Sequence, residues 1–211
     1  MSDKITVYGF EASTYVRTVR MVLAEKNASY DLVPVDIMVG ENKRPEHMAR
    51  HPFAKIPVLE HGARRLYETG AITRYPNDVL PGKSLVPDTA MNRARMDMGL
   101  AIHDNYGYGA LIGLAAQHLF PDFVGGKNEE MRLDCLEKGR LVLTEIMKLR
   151  GDSPWIAGAE PSLADFFLAP VCCYVDMTED AGAAFDVPGF ADWWARVQAL
   201  DAYTSTAPAS D

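Results

Sequence analysis

The sequence holds only three cysteines among 211 residues, Cys135, Cys172 and Cys173, with no Cys-x-x-Cys pair and no metal-ligand spacing. Dithiol redox chemistry and a cysteine-built metal site are therefore set aside, and no metal is expected. The adjacent Cys172-Cys173 lies in an apolar helical run and reads as packing material. Long apolar runs are missing too: no stretch reaches the ~20 residues that span a bilayer, and "MSDKITVYGF" has no apolar stretch behind a basic flank. The expectation is a cytoplasmic protein. Positive charge is also scarce. With 21 Lys and Arg against 29 Asp and Glu the formal net charge is −8, whereas polyanion binders concentrate Lys and Arg on one face, so nucleic acid is not expected as a partner. The basic residues gather early, at Lys43, Arg44, Lys55, Arg64 and Arg65, where a small anionic ligand has a place.

What is present is the composition of a soluble globular chain, 48% hydrophobic and 24% charged, at a length that suits two modest domains. No internal repeat is visible, and the only low-complexity stretch is the tail "TSTAPASD". The first eighty or so residues alternate in period. "KITVY" reads as a strand, and residues 13–26 as a helix with an apolar stripe of Val16, Val19, Val22 and Leu23. "SYDLVPV" reads as a strand that Pro34 confines to an edge. A short helix is expected over 45–50, two strands joined at His61-Gly62 within "KIPVLEHGARRLYE", and a helix from about Thr69. That order predicts an α/β unit with a mixed sheet. "LPGKSLVPDT" marks a linker near residues 80–88. Beyond it the pattern is helical: a long segment over 89–119 loosened at Gly107 and Gly109, another over 128–150, and "PSLADFFLAPVCCYV". Ser162 and Asp165 form a capping-box pair there, and Pro170 is expected to kink or shorten the helix. A final helix near 188–199 carries Trp193 and Trp194.

One short stretch raises a chemical question. In "ASTYVRTVR" the hydroxyls of Ser13 and Thr14 stand at the mouth of the first helix. A serine there is either an ordinary cap or a hydroxyl that meets a ligand. Four stretches, "ASTYVRTVRMVLAEK", "HPFAKIPVLE", "LYETGAITRY" and "PSLADFFLAP", fall in an order and spacing that resembles the cytosolic glutathione transferases. The resemblance covers nearly the whole chain and is closest to the serine-type classes, the phi-like branch in particular.

That resemblance implies a thioredoxin-like, glutathione-binding domain over 1–80 and an all-helical domain over 89–211 that contributes an electrophile pocket. It also implies a homodimer. By the same resemblance Ser13 activates the glutathione sulfur, ranked ahead of Tyr8 and then Thr14, while Arg17 orders or covers this corner. Pro57 is expected in the cis form, which would turn the backbone of Ile56 toward the cysteinyl unit. Glu68 would meet the α-amine of the γ-glutamyl unit, and Thr69 its carboxylate at a helix start; read without the resemblance, Thr69 is an N-cap. Lys43 and Lys55 match positions that hold the glycyl carboxylate, and Asn42 stands beside Lys43 where a His is common. "HDNYGYGALIG" offers His103, Tyr106, Tyr108 and Leu111 to the second substrate, although helical spacing equally serves a core. The chain departs from the family pattern at His51 and Ala54, where Asn and Gly are usual, and at Pro76, which is expected to end or kink its helix near Tyr75. The activity implied is thiolate attack on a hydrophobic electrophile. Alternatives are a non-catalytic interaction module, or peroxidase, ether-cleaving or isomerase chemistry at the same site.

Overall fold

The computed structural model of the protein describes residues 4–208. Its first strand, β1 (Ile5–Tyr8), alternates as the sequence does, with Ile5 and Val7 buried and Thr6 and Tyr8 on the other face. Helix α1 (Thr14–Glu25) follows, capped by Ser13. Its stripe of Val16, Val19, Val22 and Leu23 is fully buried. Gly9 allows the tight passage between them, because a Cβ there would lie 2.4 Å from Val16 Cγ2. β2 (Asp31–Val33), α2 (Pro45–Met48), the hairpin β3 (Val58–His61) and β4 (Arg64–Tyr67), and α3 (Thr69–Val79) complete the alternation.

The four strands lie in the order β2-β1-β3-β4, with β2 parallel to β1 and the other pairs antiparallel. This is the mixed sheet of a thioredoxin-like unit, and β2 takes the edge position with Pro34 directly after it. Ile5, Val7 and Leu59 pack against Val16, Val19, Leu23 and Ile72, which places the core between the sheet and helices α1 and α3. Helix α3 does not end at Tyr75: it runs through Pro76 to Val79. Pro76 sits in the last turn and is buried, and its carbonyl still accepts from Leu80 N–H at 3.0 Å. One lost ladder bond near a helix end is a small cost against that burial.

Residues between Val79 and Ala90 form no regular element, and the boundary of the two compact units falls inside them, at Ser84–Leu85. Leu85–Ala199 make the second unit. The chain from Leu200 groups with the first: α10 (Asp201–Thr204) packs on α1, where Arg17 donates to Tyr203 O at 3.0 Å and stacks 4.3 Å over its ring.

In the helical unit, α4 (Ala90–Ile102) passes through a π turn at His103–Gly107 into α5 (Tyr108–Leu119). α5 packs closely on α6 (Glu129–Arg150), because a Cβ on Gly107, Gly113 or Gly139 would approach Val142, Cys135 or Leu111 to 2.9–3.0 Å. Helix α7 (Leu163–Asp176) is not shortened at Pro170: every residue from Leu163 to Cys172 is buried, which outweighs about 3 kcal/mol for an internal proline. Its capping box forms as the sequence predicts. Asp165 accepts from Ser162 N–H at 2.9 Å and Ser162 O–H at 2.8 Å, and also from Ile156 N–H and Trp193 Nε1–H. Two short helices close the unit, α8 (Ala181–Ala184) and α9 (Phe190–Gln198), the latter burying Trp193 and Trp194.

Candidate active site

Strand register assembles the site. Tyr8 pairs with Val58, and Val58 with Tyr67. The segments that leave or enter at those residues, Gly9–Ser13, Ile56-Pro57 and Glu68-Thr69, therefore share one end of the sheet. The N-termini of α1 and α3 lie at that end as well, each with first-turn N–H groups that the helix's own carbonyls do not serve.

Ser13 is half-buried, and its Oγ accepts from Val16 N–H at 3.5 Å, the far limit of a hydrogen bond. Among the described residues no acceptor takes its hydroxyl proton. Thr14 is buried, with an Oγ1 that has no hydrogen-bond partner among the described residues. Tyr8 is differently placed. Its phenol donates to Glu60 Oε2 at 2.8 Å, on the sheet face away from the α1 core, and Arg50 stacks 4.4 Å over its ring. Burial and that bond raise the phenol above its ordinary pKa, so its proton is committed. Arg17 is 3% exposed, and its Nε has no hydrogen-bond partner among the described residues.

The peptide Ile56-Pro57 is cis. The loop before it is braced from the α2 side: His47 Nε2 meets Lys55 O at 2.7 Å, and Asn42 Nδ2 donates to Ala54 O at 2.8 Å. Asn42 is thus occupied as a brace, whereas Lys43 and Lys55 are exposed. Ala54 has φ +52°, and its N–H donates to His51 O at 2.9 Å, closing the turn at 51–54. Here the usual glycine of the family pattern has a backbone reason.

Glu68 also has positive φ, +69°, and occupies the cap position of α3 that the sequence suggested for Thr69. Its side chain does not cap the helix; it is 67% exposed and faces His51 Nε2 at 3.9 Å. Thr69 is the first helical residue, its N–H free of any intrahelical acceptor. Of the candidates for a second substrate, Leu111 and His103 are core. Burial lowers the His103 imidazole to about 4, and it packs edge-on to Tyr108 and Phe167. Tyr106 is 69% exposed.

Sequence reading missed His47 and the link from Tyr8 through Glu60 to Arg65, which donates to Glu60 Oε1 at 2.7 Å. The second was recoverable, since Tyr8 and Glu60 are diagonal neighbours on one face once β1 and β3 are paired. Nothing in the spacing marks His47.

A thioredoxin-like unit with a cis-proline loop, joined to an all-helical unit, defines the class of two-domain thiol-handling folds. The comparisons give the family: the glutathione S-transferase N-terminal domain model matches residues 3–76, and the C-terminal domain model matches 94–201. Glutathione S-transferase 4 of Zea mays is 30% identical over 96% of this chain and 92% of its own length. The crystal structure of glutathione transferase F7 from Populus trichocarpa superposes with a TM-score of 0.85 at 27% identity, covering 96% of this chain and 97% of that one. The structure of a glutathione S-transferase I bound with lactoylglutathione gives 0.85 at 25% identity, covering 96% and 98%. The chain belongs to the glutathione S-transferase family, among its phi-like members.

Proposed function

We propose that this glutathione transferase binds glutathione along the shared end of the sheet and activates it with Ser13. The backbone of Ile56 pairs with the cysteinyl unit, as an added strand pairs with an edge. Glu68 takes the γ-glutamyl ammonium, and Thr69 takes its carboxylate at the N-terminus of α3. Lys43 and Lys55 attract the glycyl carboxylate, while Asn42 holds the loop between them. The observation that carries the reading is the hydroxyl of Ser13 at the N-terminus of α1, whose oxygen accepts from Val16 N–H and whose proton no described residue accepts.

A free thiol has a pKa of about 8.5, and lowering it by about two units requires about 2.7 kcal/mol. A hydrogen bond to a charged group supplies about 1.5–3 kcal/mol, and the helix terminus adds a fraction more. The thiol proton leaves to solvent, and the thiolate then attacks a hydrophobic electrophile; the carbon–sulfur bond forms as a leaving group departs with its bonding pair, or as a conjugated double bond shifts its electrons and takes up a proton from solvent. We place the enzyme in the cytoplasm as a homodimer. Among the described residues no helix is long and apolar enough to cross a membrane.

Turnover in two variants tests the assignment. Ser13→Ala should lower kcat by about ten- to a thousandfold with little change in glutathione binding. Tyr8→Phe should leave kcat near the parent value, because its phenol serves Glu60. Full activity in the serine variant, with loss in the tyrosine variant, would transfer the role to the phenol. A chain that binds glutathione yet turns over nothing is an interaction module.

A further inference from the structure

The chain's departures from the family pattern at Asn42, His51 and Ala54 meet at one turn. Asn42 grips the Ala54 carbonyl, Ala54 N–H donates to the His51 carbonyl, and Phe53 N–H donates to His51 Nδ1 at 3.3 Å. That last bond selects the tautomer: when Nδ1 accepts, the proton of a neutral imidazole resides on Nε2. The Nε2–H then faces Glu68 Oε1 at 3.9 Å. This separation is too long for a hydrogen bond and short enough for a charge–dipole contact. The His51 ring is 2% exposed and rests 5.0 Å from the ring of Tyr67, the neighbour of Glu68. Glu68 itself is held in the left-handed region that a side chain disfavours. A buried donor beneath a strained, exposed carboxylate is an arrangement for setting where that carboxylate stands.

We propose that His51 is a positioning residue for Glu68: its neutral imidazole steadies the carboxylate for the γ-glutamyl ammonium of glutathione, and its protonation releases that ligand. The proposal rests on the glutathione reading above. Protonation places a hydrogen on Nδ1, which breaks the bond from Phe53 N–H. It also sets a full positive charge beside Glu68, in competition with the ligand's ammonium.

The charged groups facing the ring are Glu68, which favours the protonated form, and His47 and Lys55, which oppose it, and the titratable ring of Tyr67 packs 5.0 Å away. Burial opposes it most, and the imidazole is held below its ordinary value. The sign follows: affinity for glutathione is level at neutral pH and above, and it falls as pH drops below the ordinary histidine range.

His51→Asn separates the turn from the contact. An asparagine Oδ1 still accepts from Phe53 N–H, as in an Asx-turn, but it offers no titrating group to Glu68. Calorimetric titration of glutathione into both proteins at about pH 7.5 and pH 5.5, with KM and kcat for glutathione at the higher pH, reads the difference. The parent should lose about two- to fivefold in affinity at the lower pH, the size of a partly exposed charge contact. His51→Asn should bind equally at both, with a raised KM and kcat within about twofold. If the asparagine variant unfolds, His51→Gln carries the same test, since its amide does not titrate. An acid-side loss that is the same in parent and variant overturns the proposal, as does a fall in kcat with unchanged KM. A parent that takes up no glutathione at either pH overturns the proposed function and this inference with it.

Discussion

A serine hydroxyl has two lone pairs and one proton, and at Ser13 the described residues engage only one lone pair, weakly, from Val16 N–H. Capping the helix and donating to a thiolate draw on different parts of the same group, so the two readings of this serine coexist. Ala54 presents the opposite case, a residue whose side chain opposes its backbone. At φ +52° the methyl costs about 1–2 kcal/mol, and glycine would return part of that as added freedom in the unfolded chain. Ala54→Gly is expected to stabilise the protein by about 0.5–1 kcal/mol in urea unfolding. Lower stability would mean that the methyl makes a contact worth more than the strain.

At the scale of elements, the capping box of α7 gathers several donors on one buried carboxylate. Burial pushes the Asp165 carboxyl above its ordinary value, while bonds from Ile156, Trp193 and Ser162 pull it back. Asp165→Ala strands those donors without water and should cost about 3–5 kcal/mol in denaturant unfolding; Asp165→Asn, which keeps one acceptor oxygen, should cost less. Equal losses in the two variants, which differ in volume and in acceptors, would show that the retained oxygen recovers nothing and would contradict this account of the donors. This element was fully legible in sequence, because its signature is local: a hydroxyl, a carboxylate three residues on, and an apolar run. The prolines are legible only in part: the sequence shows the local penalty of Pro76 and Pro170, whereas the burial set against it comes from residues distant in sequence.

For the whole molecule, acid stability follows from paired carboxylates in both units. Burial pushes Asp180 up, but bonds from Arg132 and His118 bring it below its ordinary value; Glu60 is likewise lowered by Tyr8 and Arg65 against its burial. Carboxyls lowered in the folded state contribute stability above their unfolded pKa of about 4, and that contribution is lost as pH falls through the lower folded values. Unfolding free energy should therefore decline below about pH 4. Asp180→Asn should flatten that decline by at most one proton, about 1.4 kcal/mol per pH unit. An unchanged acid slope would remove Asp180 from the account.

The sequence made the alternating first unit legible, since periods of two and of 3.6 are written locally in "KITVY" and the stripe of α1. It also placed Ser13, Ile56-Pro57 and Glu68-Thr69 in the segments that strand register joins. It did not announce contacts that bridge long separations: Arg17 with Tyr203, Glu60 with Tyr8, or His51 with Glu68. Those depend on which segments the folded chain brings together.

The proposed function turns on Ser13 holding glutathione as a thiolate at this site. The most direct measurement is the ultraviolet absorbance of glutathione thiolate bound to the protein, followed as pH is varied. The expected result is a bound thiol that ionises about two units below the free value, and a return toward about 8.5 in Ser13→Ala. Bound glutathione with the pKa of the free thiol would contradict it and leave Ser13 as a helix cap alone.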